Sequence, residues 1–148
     1  MSGVDPFRRR LERTAIVCCL AMTPALFAAT PAVKQKTFAT PEEAVDALVT
    51  AAEKYDVPAL KEILGPDGVD LVVTEDPVQD KNKATSFAAK AREKKEIVRD
   101  PSNPKIVTLN VGSLDWPLPI PLVQSGGRWS FDSKAGRQEI LYRRIGEN

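Results

Sequence analysis

Histidine is absent from this chain of 148 residues. With it go the commonest general base, the commonest metal ligand and the usual partner of a serine or cysteine nucleophile. The only two cysteines, Cys18 and Cys19, are adjacent and lie in an apolar run near the N-terminus. The rest of the chain has no thiol, which excludes a disulfide framework and a zinc-thiolate site there. Neither sign of charge dominates, with 21 Lys and Arg against 20 Asp and Glu. Arg8, Arg9, Arg10 and Arg13 on one side, and Asp5 and Glu12 on the other, precede residue 33, so the remainder carries a net charge of −1. A near-neutral domain has no general pull on phosphate backbones, and no nucleic-acid partner is expected. There is no internal repeat and no low-complexity tract.

The first 32 residues have the tripartite layout of a secretory signal. The arginines at 8, 9, 10 and 13 form a positive head, Ala15 to Ala29 is an apolar stretch interrupted by Thr23-Pro24, and small residues cluster at Ala28-Ala29-Thr30-Pro31-Ala32. The stretch is short of the roughly 20 residues that a spanning helix needs, and Pro24 would kink it. Cleavage after Ala32 puts Thr30 and Ala32 at the two selective positions; cleavage after Ala28 or Ala29 is the variant. An uncleaved anchor is the rival reading, and membrane contact would then come through this segment alone. Neither cysteine follows the small residue that lipidation sites require, and no cofactor motif follows the arginines to call for twin-arginine export. The expectation is a signal at 1–32 and a single periplasmic domain at 33–148.

Within that domain, Val33 to Lys36 reads as a linker. Thr40-Pro41-Glu42-Glu43 is a helix start with an N-cap, a proline at the first position and the glutamate of a capping box. Ala44, Val45, Leu48, Val49 and Ala52 follow at helical spacing, to an end near Lys54. A second helix from Asp56 presents Leu60, Ile63 and Leu64 and stops at Gly65-Pro66-Asp67-Gly68, and the short connection predicts an antiparallel pair. Asp76-Pro77 opens a third, with Ala84, Phe87, Ala88 and Ala91 buried. Its other face carries Lys81, Lys83, Lys90, Arg92, Lys94 and Lys95, interleaved with Asp80, Glu93 and Glu96, which reads as a solvated face rather than a basic patch.

Strands follow: a short one at Glu96 to Arg99, then Ile106 to Val111 with Val107, Leu109 and Val111 sharing a face. Pro119 to Gln124 and Arg128 to Asp132 flank a hairpin turn at Ser125-Gly126-Gly127. Prolines 117, 119 and 121 cannot donate ladder hydrogen bonds, so that strand sits at an edge or begins irregularly. Ser133 to Ile145 reads as a closing helix with Ile140, Leu141 and Ile145 inward and Arg137, Arg143 and Arg144 outward. The class is α+β, with a helical hairpin and a third helix packed on a small curved antiparallel sheet. The element order fits, by analogy, a cone of the nuclear-transport-factor-2-like or cystatin-like kind.

Several segments together resemble one known family. They are Phe38-Ala-Thr-Pro-Glu-Glu-Ala-Val-Asp-Ala-Leu-Val, Ile63-Leu-Gly-Pro-Asp-Gly, Asp115-Trp-Pro-Leu-Pro-Ile-Pro-Leu-Val, Gly127-Arg-Trp-Ser-Phe-Asp and the stretch from Ala135 to Asn148. On these the chain resembles domain of unknown function 2950, over about Thr37 to Asn148. The resemblance implies an exported envelope protein without an established activity. Members of that family continue past this point, so the resemblance implies that the chain is the N-terminal half of a longer protein, from a truncated or split gene.

Candidate chemistry is sparse. Trp116, Arg128, Trp129 and Phe131 could form a ligand-binding wall, with aromatic contact area and a guanidinium for a carboxylate or phosphate. The other reading makes Trp129 and Phe131 core anchors of the hairpin and Arg128 their solvated neighbour. Asp67, Asp70, Glu75, Asp76 and Asp80 lack the tight oxygen spacing of a calcium loop and suit caps and turns. Ser125, Ser130 and Ser133 have no histidine base; a Ser-Lys arrangement with Lys134 is the one nucleophile option. No catalytic residue, metal or cofactor is expected. Three functions remain: a non-enzymatic domain that binds another envelope protein or the missing half of its own family, a small-ligand carrier or hydrolase with a cone pocket, and a non-functional remnant.

Overall fold

The computed structural model describes residues 34–146; the signal segment read at 1–32 lies outside the described residues. Helix α1 (Pro41–Lys54) starts where its capping residues dictate. Thr40 is extended and its hydroxyl accepts from the Glu43 N–H at 3.2 Å, while the Glu43 carboxylate accepts from the Ala39 N–H at 3.2 Å. Two donors that the helix cannot satisfy are thus met by side chains. The stripe Ala44, Val45, Leu48, Val49 and Ala52 is buried, as its spacing requires. Asp56 caps α2 (Val57–Leu64) and Asp76 caps α4 (Pro77–Glu93), each accepting from the N–H three residues on.

Between them the Gly65-Pro66-Asp67-Gly68 stop contains a 3₁₀ turn (Pro66–Gly68) and is followed by a short helix, α3 (Val69–Val72). Four residues are too few to show a helical period, so sequence patterning passes over them. α1 packs on both α2 and α4, and more extensively on α4.

The sheet is antiparallel, with β1 (Lys95–Arg99), β2 (Ile106–Val111), β4 (Leu122–Ser125) and β5 (Arg128–Phe131) in that spatial order. A two-residue strand, β3 (Trp116–Pro117), pairs with β2 beyond the end of β4. Register puts Ile97, Leu109, Val107, Leu122 and Phe131 on one face. That face carries the core, because Val107, Leu109, Val111, Leu122, Trp129 and Phe131 are all buried. α1 and α2 pack against β5, and α4 against β1 and β2. The β4–β5 turn is Gly126-Gly127, with φ of 57° and 77°, the left-handed pair that a two-residue hairpin demands and that glycine adopts without strain.

Prolines shape the strand beside β2. Asn110 pairs with Pro117 and Val107 with Leu122, so the four residues Leu118 to Pro121 span a stretch where β2 has only Thr108 and Leu109. The extra length bows out as a strap, held at one end by the Leu118 N–H on the Leu109 carbonyl at 2.7 Å. Of the two expectations for these prolines, the irregular start is the one found. β4 itself lies between β2 and β5, not at an edge.

Three sequence expectations are corrected. The segment read as a linker is stitched to the body from Gln35 onward. Its amide donates to the Ile63 and Phe131 carbonyls at 3.1 and 2.6 Å, and Phe38 exchanges two 2.8 Å backbone bonds with Trp129. Asp80, assigned to the solvated face of α4, is buried at 4% exposure. Its carboxylate accepts from the Thr74 N–H at 2.6 Å and from the Thr74 hydroxyl at 2.9 Å, closing the loop before α4.

The third correction concerns α5 (Ser133–Gly146). Leu141 and Ile145, expected inward, are 55% and 63% exposed. The helix meets the body along Ser133, Gly136, Arg137, Ile140 and Arg143, a stripe at three- and four-residue spacing that includes two of the arginines expected outward. Ser133 donates to the Leu64 carbonyl at 2.6 Å, Arg137 pairs with Asp70, and Arg143 donates to the Pro117 carbonyl at 3.0 Å. One residue is a rotation of about 100°, so Leu141 and Ile145 turn away from that stripe.

Candidate functional site

The strap and the helices do not close on each other. Between them lies an open cleft of about 680 Å³, bounded by α1, α2, α3, α4, the strap and Ile140 of α5. Its floor is the side of the core formed by Leu48, Ala52, Leu60 and Leu64. Ala84 and Phe87 of α4 form one wall, and Trp116, Leu118, Pro119 and Ile120 form the other. The sequence gives Ala84, Phe87, Ala88 and Ala91 one helical face, yet only Ala88 and Ala91 are buried. Ala84 and Phe87 stay half-exposed because the strap opposite them bows away.

The polar part of the lining comes almost wholly from α4. Asp80 is committed to Thr74. Lys83 and Lys90 are exposed on the same side, and among the described residues neither has an ion-pair partner. Lys90 Nζ stands 5.9 Å from the centre of the Trp116 ring, and the Arg143 guanidinium stands 5.9 Å from the same ring. Trp116 therefore has two cationic groups beside its ring at the mouth of the cleft, where it is 42% exposed, and of these Arg143 is already paired with Glu139 at 2.9 Å. Next to it, Asp115 takes up the positive backbone angle that ends the turn after β2 and binds Lys94 at 2.6 Å. That hydrogen bond raises the Lys94 ammonium above its ordinary pKa and removes the Asp115 carboxylate from the cleft's charge balance.

Of the four site candidates read from sequence, only Trp116 lines the cleft. Trp129 and Phe131 are 4% and 1% exposed, within the core between sheet and helices. Arg128 is occupied elsewhere, donating to the Thr37 hydroxyl at 2.7 Å and to the Thr37 carbonyl at 2.9 Å. Among the acidic candidates, Asp76 caps α4, Asp67 lies 3.7 Å from Lys134, and Asp70 binds Arg137 in a fork. The Arg137 hydrogen bonds hold the Asp70 carboxyl below its ordinary pKa. Ser133 gives its hydroxyl to Leu64 and Lys134 faces Asp67, so these two form no nucleophile pair. Among the described residues no three of Asp, Glu, Cys or His converge to hold a metal ion. No described helix is long and apolar enough to cross a membrane.

Sequence reasoning missed Lys83, Lys90, Phe87 and the strap as parts of one site. The signal that pointed there was the proline triplet, which marks backbone unable to complete a ladder and hence free to bow.

No curated protein and no solved structure matches the chain. One family profile does, over residues 35–148, which is the C-terminal part of the chain. It bears on the family and not on the division into an N-terminal half that the resemblance implied. With that match, the chain belongs to the family described as protein of unknown function (DUF2950).

Proposed function

We propose that this protein is an exported, non-enzymatic binding domain that holds a hydrophobic ligand in the cleft between α4 and the proline strap. The observation that carries the reading is the convergence of Ala84, Phe87, Trp116, Leu118 and Ile120 on about 680 Å³ of open space. That volume lies in the roughly 300–1,000 Å³ range of small-molecule sites, which are mostly apolar with a few placed polar groups. The absence of histidine from the chain and the commitment of Ser133 and Asp80 to backbone partners favour binding over catalysis. Export rests on the arginine head, the apolar stretch and the small-residue cluster of residues 8–32. It predicts a mature N-terminus near Val33 in protein recovered from the periplasm.

The test of the cleft is fluorescence of the neutral apolar dye N-phenyl-1-naphthylamine. The dye should brighten with the native protein, and Ala84→Trp, which fills the cleft, should abolish the effect. Val78→Trp, on an exposed part of α4 (71% exposure), should not. Equal brightening by all three proteins would place the dye elsewhere and remove the proposal's support.

A second reading is favoured by α5, where Leu141, Tyr142 and Ile145 are 55%, 58% and 63% exposed. Grouped apolar side chains on one helix face suit contact with another envelope protein. It predicts concentration-dependent association, or capture of a partner, that Leu141→Glu abolishes without changing dye binding.

A further inference from the structure

We infer that the ligand is a single-chain amphiphile with an anionic head, a long-chain carboxylate, bound with its chain along the apolar floor and its head at Lys90 and Trp116. The inference rests on the reading of the cleft as a ligand site and adds the class of ligand. Its basis is the distribution of charge around an otherwise apolar space. Lys83 and Lys90 border the cleft from the same helix, seven residues or about two turns apart, and neither is neutralised by a described carboxylate.

The acidic groups nearby are already committed. Asp80 accepts two hydrogen bonds from Thr74, and Asp115 binds Lys94. Asp115 adjoins Trp116 and is held by Lys94; Asp80 sits apart as well. Asp80 lies ten residues before Lys90, about 15 Å along the helix, beside Leu71 and Val72 at the far end of the lining. An anion at the Lys90 end therefore meets Lys90 beside the Trp116 ring, while Arg143, also near that ring, is already paired with Glu139 at 2.9 Å, and no unpaired carboxylate is found among the described residues lining the cleft. A cationic head there would face the like charge of Lys90. A neutral head would leave Lys90 without an anion.

The chain supplies affinity and the head supplies selection. Each methylene buried contributes roughly 0.8 kcal/mol, so the apolar floor favours any chain of the right length. The lysines act on charge, and a charge-assisted hydrogen bond is about twice as strong as a neutral one.

The test displaces N-phenyl-1-naphthylamine with laurate, dodecanol and dodecyltrimethylammonium, which share a twelve-carbon chain and differ in head charge. Laurate should displace the dye at about tenfold lower concentration than dodecanol, the ratio that one good charged contact supplies. Dodecyltrimethylammonium should be the weakest. The laurate advantage should vanish in Lys90→Gln, persist in Lys90→Arg, and persist in the control Lys81→Gln, which lies outside the lining. Thermal melting shows that each variant is folded. If the dye binds and laurate and dodecanol compete equally, the headgroup assignment is wrong while the cleft stands. If native protein does not bind the dye or laurate, the cleft reading fails and this inference fails with it. If the preference survives Lys90→Gln and Lys83→Gln together, the anion sits elsewhere and the assignment is overturned.

Discussion

Gly136→Ala distinguishes local helix propensity from packing, because the two predict opposite signs. Alanine inside a helix is favoured over glycine by about 1 kcal/mol, so propensity alone makes the variant more stable. The structure says otherwise. A Cβ on Gly136 would lie 2.6 Å from Ile120 Cγ1 and 3.0 Å from Ile120 Cα. The second contact is with the strap backbone, which cannot rotate aside as a side chain can. Overpacking of this kind costs about 1–3 kcal/mol, so the net effect is a loss of roughly 1 kcal/mol. For a domain of this size that lowers Tm by about 4–8 °C. The assay is thermal unfolding of Gly136→Ala beside Gly146→Ala, where an added Cβ meets nothing within 4 Å. The double variant Ile120→Val with Gly136→Ala keeps the backbone contact, so it should recover little stability. A rise in Tm for Gly136→Ala would refute the close approach of α5 to the strap, and with it the position of one cleft wall.

Two further predictions separate core from site and test the link between α3 and α5. Phe131→Ala should cost about 3–5 kcal/mol in urea unfolding, because the ring is buried and its removal leaves a cavity. Trp116→Ala should leave the unfolding midpoint close to native and weaken dye binding, and the reverse pattern would exchange the roles given to the two residues. The Asp70 carboxyl is held below its ordinary pKa by the Arg137 hydrogen bonds, so its folded value lies below its unfolded one. Its stabilising contribution is then present above the unfolded pKa of about 3.9 and is lost as pH falls through the folded value. Carboxyl-carbon NMR should show Asp70 titrating low in the native protein and at an ordinary value in Arg137→Gln, and an ordinary value in both would contradict the ion pair.

The helices and the main strands were legible because their signals are local. Thr40 and Asp76 are N-caps followed directly by proline, Asp56 is an N-cap two residues before Pro58, and β-branched alternation runs through Ile106 to Val111. The burial of Trp129 and Phe131 was among the readings the sequence offered, since a small sheet needs such rings on its inner face. The site was less legible, because it depends on an omission. Ala84 and Phe87 carry the pattern of buried residues, and only the bow of the strap at Leu118 to Pro121 leaves them uncovered. Asp80 looked like one charge among many, because its partner Thr74 sits in a loop whose course no periodicity reveals. Leu141 and Ile145 misled for a related reason. Helical apolarity says which residues could face inward, and the contacts of Ser133, Gly136 and Arg137 decide which do.

The chain has only two tryptophans, and they give the most direct measurement of the central claim. Their indole N–H signals report one position at the mouth of the cleft and one in the core. Titrating laurate into ¹⁵N-labelled protein should shift the Trp116 indole and the amides of Ala84, Phe87 and Ile120, and leave the Trp129 indole and the amides of Leu141, Tyr142 and Ile145 in place. Shifts confined to the α5 residues, or a Trp116 indole that does not move at saturation, would contradict the cleft as the binding site.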